Sequence, residues 1–340
     1  TREADVIEEV LRVYGYDNVP FTNQIKSSVK DIRPTDANLA KEATTKLLVA
    51  NGYLECMSNS MVDARFGNLS QEWAEADVVQ LNNPLSSELG IMRPALIFSA
   101  LTSAAYNLNR QQNNIRLFEF GNVYRNKGEG FKEESRLGIT VAGLEFHDHW
   151  RVSDLNNDWF ALKASLEQIF SRLGINTSKL KTEETTNDWF SYGLDWNKGD
   201  KVIISAGCVS NKLKKAFELK KEVFYVEIRW NDLVKLRQQE INIGALPKYP
   251  EVRRDFALLV DKAVDYATIE QLATQTERKL LKHVTLFDVY EGKGLPEGKK
   301  SYAVAFYLRD ENKTLTDKEV DKTMSRLFQR FEKEVGAQLR

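Results

Sequence analysis

The segment from Lys248 to Arg340 carries the pattern that most constrains the fold, because extended and helical stretches alternate there with clear punctuation. Alternating apolar residues predict strands, and apolar residues three and four positions apart predict helices. The predicted elements are, in order, a strand at 254–261, a helix at 268–281, strands at 283–290 and 300–309, a helix from 316, and a short last strand after Gly336. This βαββαβ order is that of a ferredoxin-like fold.

The helix that begins after Thr316 has clear local signals. Thr316 and Glu319 stand at the spacing of a capping box, in which each side chain bonds to the other residue's backbone N–H. Gly336 is placed to end the helix, because glycine adopts the left-handed conformation without steric cost. Four apolar residues at helical spacing should face the core: Val320, Met324, Leu327 and Phe331.

The preceding residues predict a larger domain of mixed α+β type. A helix at 3–14 should end at Gly15, and a polar stretch at 20–34 follows as a linker. Because the chain opens inside that helical pattern, we expect it to continue a longer protein. Between residues 35 and 245, hairpin-like strands alternate with helices, which favours an antiparallel sheet over a doubly wound parallel one. The first of these helices should bury one apolar face: Leu39, Ala43, Leu47 and Ala50.

Composition excludes several classes of protein. With 48 basic and 49 acidic residues the net charge is −1, so a nucleic-acid surface must be local. Two cysteines, Cys56 and Cys208, are too few for a disulfide framework or a four-thiolate zinc site. No signal peptide or membrane-spanning apolar run is evident. We therefore expect a cytoplasmic protein.

The sequence lacks the common enzyme signatures, and one acidic patch is a candidate metal-binding site. The sequence contains no Walker loop, dinucleotide fingerprint or nucleophile elbow. Asp5, Glu8 and Glu9 are neighbours on a helix, and a hard divalent cation would relieve their repulsion. The alternative is that these carboxylates complement the helix dipole at the N-terminus. Spacing alone leaves both interpretations open.

Several segments, taken in order, resemble one family, the β chain of bacterial-type phenylalanyl-tRNA synthetases. The segments are DVIEEVLRVYGYDNVP (5–20), NPLSSE (83–88), MRP (92–94), NLNR (107–110), RLFEFG (116–121) and YPEVRRD (249–255). The resemblance covers essentially the whole chain. It implies the end of a helical domain at 1–19, a class II synthetase-like domain at 35–245, and a ferredoxin-fold anticodon-binding domain at 246–340.

The resemblance also implies a function that this chain performs without catalysis. The β chain is the structural and tRNA-binding part of phenylalanine–tRNA ligase, and the ATP-dependent chemistry lies on an α chain, in a heterotetramer of two α and two β chains. Asp5, Glu8 and Glu9 correspond to three ligands of a Mg²⁺ site shared with the α chain. Catalytic silence agrees with the lack of a glycine-rich motif with a terminal arginine, and of an Arg-x-Glu pairing at Glu119.

The resemblance places tRNA contacts on the predicted C-terminal sheet. Helices cover one face of such a sheet, and exposed aromatic side chains on the other face can stack on single-stranded bases. Strand alternation puts Tyr302 and Phe306 on one face and Tyr307 on the other, so the three cannot all stack. The candidate tRNA-binding residues are Arg253, Arg254, Lys299 and Lys300 for phosphates, and Tyr302 and Phe306 for bases. The alternative to a subunit of a tRNA ligase is a stand-alone RNA-binding protein with a ferredoxin-like module.

Overall fold

The computed structural model describes residues 2–21, 24, 27, 36–84, 86–145, 150–151, 156–238 and 246–340. Most of the predicted linker at 20–34 lies outside these residues. The chain divides into two compact units, Thr1–Ile241 and Asn242–Arg340. No helix in the described ranges is long and apolar enough to cross a bilayer.

The first unit has a seven-stranded sheet with helices on both faces. Its elements are α1 (Glu3–Tyr14), α2 (Asp36–Ala50), β1 (Leu54–Glu55), β2 (Met61–Val62), β3 (Ile91–Met92), α3 (Ile97–Leu108), β4 (Asn114–Asn126), β5 (Phe131–Gly143), α4 (Trp159–Leu173), β6 (Lys181–Glu184), β7 (Phe190–Lys198), β8 (Lys201–Val209), α5 (Asn211–Ala216), β9 (Val223–Arg229) and α6 (Trp230–Val234). The order is β1-β4-β5-β9-β8-β7-β6, and β2 pairs separately with β3. Every neighbouring pair is antiparallel except β1 with β4.

Two apolar clusters fill the space on either side of this sheet. One cluster joins α2, α4 and α6 to β5, β8 and β9, and Leu166, Ile139 and Val226 are among its completely buried members. The other joins α3 and α5 to the opposite face, where Phe98 and Leu213 are buried. Because both faces are covered, residues 137–142 of β5 are buried without interruption. The predicted antiparallel α+β architecture is confirmed.

The second unit has the predicted βαββαβ order. Its elements are β10 (Val252–Asp261), α7 (Tyr266–Thr276), β11 (Leu281–Tyr290), β12 (Lys299–Leu308), α8 (Asp317–Val335) and β13 (Gln338–Leu339), and the sheet order is β11-β12-β10-β13. The capping box at Thr316 and Glu319 is present, and Gly336 ends α8 with φ +61°. Helices α7 and α8 share one core with the sheet, and the four predicted inward residues of α8 are buried in it.

Candidate nucleic-acid interface

The two faces of the C-terminal sheet differ sharply, and strand alternation on β12 decides which residues reach solvent. Tyr302 and Phe306 point toward the helices and are buried. The Tyr302 hydroxyl donates to the Val264 carbonyl over 3.0 Å, and the Phe306 ring packs against Phe256 and Phe331. The prediction that Tyr302 and Phe306 stack on bases is therefore wrong, because both side chains belong to the core.

The opposite face, which we call the open face, carries a cluster of rings around Tyr307. His283 pairs with Tyr307 across β11 and β12, and the two rings are stacked with centroids 4.0 Å apart and an interplanar angle of 16°. The Arg253 guanidinium carbon lies 5.1 Å from the Phe287 ring centroid and 5.9 Å from that of Tyr307. Phe287 is 52% exposed. An aromatic and cationic surface of this kind offers stacking to unpaired bases.

The four basic residues predicted for phosphate contact do not form one patch. Arg253 lies on the open face, where it makes two hydrogen bonds to the Asp255 carboxylate of 2.8 and 3.1 Å. Arg254, one position along, faces the helix side and bonds to Asp317 at the start of α8. Lys299 pairs with Asp261 over 2.8 Å.

The prediction for Lys300 is wrong, because only 8% of the residue is exposed. Its ammonium group lies over the Tyr302 ring, 4.8 Å from the centroid, on the helix side of the sheet. Lys299 and Lys300 are adjacent in sequence, so alternation separates them onto opposite faces. Arg253 is thus the predicted cation that lies among the open-face rings.

A further aromatic–cationic pair lies at the other end of the open face. Tyr290 of β11 stands opposite Ser301, and the Arg340 guanidinium carbon is 5.1 Å from the Tyr290 ring centroid. The Tyr290 hydroxyl donates to the Lys293 carbonyl over 2.9 Å. Sequence reasoning missed His283, Phe287, Tyr290 and Arg340 as binding candidates. The available signal was the spacing of two positions between His283, Thr285 and Phe287, which places them on one face of β11, with His283 opposite Tyr307. A bulge between Leu286 and Asp288 interrupts this alternation.

The carboxylates predicted for magnesium lie exposed along α1. Asp5 accepts a hydrogen bond from the Arg2 backbone N–H over 2.8 Å, which caps the helix, and Glu9 forms an ion pair with Arg12 over 3.1 Å. Within the described part of the chain, no group of three acidic, histidine or cysteine side chains is arranged to hold a metal ion. Asp5, Glu8 and Glu9 therefore do not fit a metal site by themselves.

Glu119 in the first unit serves a structural role. Its carboxylate accepts a hydrogen bond of 2.6 Å from the Arg93 guanidinium and one of 3.1 Å from the Ser58 backbone N–H. Arg93 and Glu119 are both buried. Arg93 also lies against Gly121, where a β-carbon would come within 2.2 Å of the guanidinium. This packing lies on β4 at the position where the family resemblance would place a catalytic Arg-x-Glu pairing.

The geometry of the second unit defines a class of domain. An antiparallel sheet with helices on one face, and with rings and an arginine on the other, is a ferredoxin-like domain of the nucleic-acid-binding kind. Two family models match the chain: the phenylalanyl tRNA synthetase beta chain CLM domain over residues 22–230, and the ferredoxin-fold anticodon binding domain over residues 247–340. The chain belongs to the phenylalanyl-tRNA synthetase β chain family.

Two curated relatives agree with this assignment. A phenylalanine–tRNA ligase beta subunit of Bacteroides fragilis is 40% identical over 351 residues, which cover 100% of this chain and 43% of the relative. That of Porphyromonas gingivalis is 38% identical over 352 residues with the same coverage. A crystal structure of pyrrolysyl-tRNA synthetase from Desulfitobacterium hafniense matches with a TM-score of 0.47 and 14% identity, over 70% of this chain and 80% of that one. The chain spans less than half the length of the curated relatives it matches.

Proposed function

We propose that the second unit binds tRNA through the open face of its sheet. The observation that carries this proposal is the stacked pair of His283 and Tyr307 beside Arg253, on a face that neither helix covers. Base–aromatic stacking supplies affinity without strict sequence dependence, and a nearby guanidinium adds attraction to phosphate or to a base plane. The family description of residues 247–340 as anticodon-binding supports the same role.

The proposal extends to the whole protein of which this chain would be part. The chain would be the non-catalytic, structural and tRNA-binding portion of a phenylalanine–tRNA ligase in the cytoplasm. A partner α chain would carry the ATP-dependent chemistry, in an assembly of two α and two β chains. The relatives are phenylalanine–tRNA ligase beta subunits, which supports the ligase assignment. They give no support to a stand-alone RNA-binding protein.

Catalytic silence of the first unit is part of the proposal. An active site needs donors that are free to stabilise developing charge. The buried Arg93 is instead already bonded: it donates to the Glu119 carboxylate, and its Nε donates to the Asn122 carbonyl over 2.8 Å. We expect no pyrophosphate exchange with ATP and phenylalanine by this chain alone.

The proposal includes a Mg²⁺ site that has no part in tRNA binding. A Mg²⁺ site at Asp5, Glu8 and Glu9 stays a prediction, and it requires further ligands from outside the described residues. Mg²⁺ takes octahedral oxygen ligands and usually keeps several waters. The ion pair between Glu9 and Arg12 would have to open for Glu9 to contribute.

Titration of a phenylalanine-accepting tRNA with the intact chain tests the tRNA proposal. Tyr307→Ala should weaken binding by roughly 5- to 100-fold, the range that stacking on one ring supplies. Arg253→Gln should reduce the slope of log affinity against log salt by about 1. Phe160→Ala, which removes an exposed ring from α4 of the first unit, is the matched control and should bind as the unaltered chain does. Equal affinity for the unaltered chain, Tyr307→Ala and Arg253→Gln would contradict the proposal.

A further inference from the structure

Two segments rich in basic and amide side chains meet at one end of the sheet in the first unit. Strand register places the first residues of β4 and β9 on either side of the last residues of β5. The segments that lead into β4 and β9, residues 109–113 and 214–222, therefore lie close together. The Lys221 ammonium donates to the Asn113 side-chain oxygen over 2.8 Å and joins the two segments. We call residues 109–113 and 214–222 the basic patch.

The basic patch carries a clear excess of positive charge. Its acids are Glu218 and Glu222, and its five cations are Arg110, Lys214, Lys215, Lys220 and Lys221. Within the described part of the chain, none of these five cations forms a salt bridge. The whole chain has 48 basic and 49 acidic residues, so this is a local concentration of charge. Such a local surface is what a nearly neutral protein needs in order to hold a polyanion.

An exposed aromatic ring supports one of these cations. The Arg110 guanidinium carbon lies 3.5 Å from the centroid of the Tyr106 ring, and Nη1 donates to the Tyr106 carbonyl over 3.2 Å. Tyr106 is 58% exposed. The ring and the hydrogen bond hold the guanidinium in place, so Arg110 loses little freedom when it binds an anion. Its other N–H groups can donate to phosphate oxygens.

The backbone of the basic patch has an uncommon conformation at two positions. Among the described residues, Gln111 with φ +63° and Glu218 with φ +55° are the non-glycine residues in the left-handed region. Each follows the end of a helix, where glycine is the usual residue. Strained positions of this kind concentrate at functional sites. Both of them lie in the basic patch, which supports a function for this surface.

The composition of the basic patch fits a phosphate backbone better than a protein surface. Protein interfaces are depleted in lysine and have an apolar centre. Within residues 106–113 and 214–222, Tyr106 is the large hydrophobic residue that is exposed. Nucleic-acid phosphates are bound by Arg and Lys, and also by amide side chains such as the exposed Asn109 and Gln112. Contacts of these kinds do not depend on base sequence.

We propose that the basic patch binds the phosphate backbone of double-stranded RNA. The five cations would pair with phosphates and displace their counterions, without reading bases. This surface is on the first unit and is separate from the open face of the second unit. The proposal rests on the tRNA-binding role proposed above for the identity of the partner, because a tRNA has base-paired stems as well as unpaired loops.

Fluorescence anisotropy of a labelled blunt RNA duplex, titrated with the intact chain at several salt concentrations, tests the proposal. The duplex has no unpaired bases, so it does not report stacking on the open face. Lys220→Gln combined with Lys221→Gln should reduce the slope of log affinity against log salt by about 2, and Arg110→Gln should reduce it by about 1. The matched control is Arg172→Gln combined with Lys198→Gln, which removes two exposed cations outside the patch and should leave the slope unchanged.

Three results would overturn the proposal. One is that the unaltered chain does not bind the duplex at about 50 mM salt. If Tyr307→Ala still weakens tRNA binding in that case, this inference fails alone and the role of the open face stands. Another is an equal loss of slope in the patch variant and in the control variant, since the contacts would then be spread over the surface. The third is tighter binding to polyglutamate than to the duplex at the same salt, which would make an acidic protein the partner.

Discussion

His283 and Tyr307 are stacked across two neighbouring strands, with ring centroids 4.0 Å apart, on the face of the C-terminal sheet that the helices leave uncovered. Phe306, the residue before Tyr307, is completely buried on the other face. Two adjacent aromatic residues thus have opposite roles, because side chains alternate along a strand. Substitutions at the two positions should separate RNA binding from stability.

Phe306→Ala should destabilise the second unit by about 3–5 kcal/mol, the usual cost of truncating a buried phenylalanine. Tyr307→Ala should change the free energy of unfolding by less than about 1 kcal/mol, because Tyr307 lies partly exposed on the open face. Urea denaturation of the two variants and the unaltered chain measures both quantities. Comparable destabilisation by the two substitutions would show that the open face is covered in solution.

The buried pair of Arg93 and Glu119 should show strong coupling. Removing one member leaves the other charged and unpaired, so Glu119→Gln and Arg93→Met should each cost about 3–5 kcal/mol. The double variant should cost clearly less than the sum of the two, because no unpaired charge is left behind. A double-mutant cycle by urea denaturation measures this coupling. Additive costs would mean that the two groups do not depend on one another.

The sequence predicted elements best where local signals and packing agree. The capping box at Thr316 and the inward residues of α8 are confirmed, since one strongly amphipathic helix packs on one sheet. On α2, however, Leu39 is 45% exposed whereas Thr44 is completely buried. The buried stripe runs through Ala40, Thr44 and Leu48, about one position from the predicted face. Tertiary packing against α4 and α6 decides this rotation, and apolarity alone does not reveal it.

The candidate site was predicted by region, and by residue only at Arg253. Alternation identified which aromatic residues of β12 could share a face, but it could not tell which face the helices would cover. That choice depends on residues far apart in sequence, such as the contact between Phe306 and Phe331. The pairing of His283 with Tyr307 also requires the register of β11, which a bulge shifts.

Glu134 should make the free energy of unfolding of the first unit depend on pH. Burial raises the pKa of Glu134, but a hydrogen bond from Lys132 and the charges of Arg136 and Arg229 outweigh it and lower the pKa to about 2. The folded-state pKa is thus below the ordinary value of 4.5, so the stabilisation is complete above about pH 5 and is lost as the pH falls toward 2. At pH 7 it should amount to about 3 kcal/mol.

Urea denaturation of the unaltered chain and of Glu134→Gln at successive pH values measures this difference. The two free energies of unfolding should differ most near pH 7 and should converge as the pH approaches 2. Glu184→Gln, an exposed acid on β6, should follow the unaltered chain throughout. A difference that stays constant from pH 7 down to pH 3 would rule out the ion-pair cluster as its cause.

Asp195→Asn should stabilise the chain at neutral pH. Burial raises the pKa of Asp195 above its ordinary value of 3.8, so the fold favours the protonated carboxyl group. For a group with a raised folded-state pKa, the associated stability is complete below the ordinary pKa and is lost as the pH rises through the folded-state value. Asparagine mimics the neutral form, so the variant should be more stable by about 1–2 kcal/mol at pH 7 and nearly equal below about pH 4. Thermal or urea unfolding at these two pH values measures the difference, with Glu184→Gln as the control. A variant that is less stable than the unaltered chain at pH 7 would mean that the hydrogen bonds of Asp195 to Ser205 and Thr185 outweigh the effect of its burial.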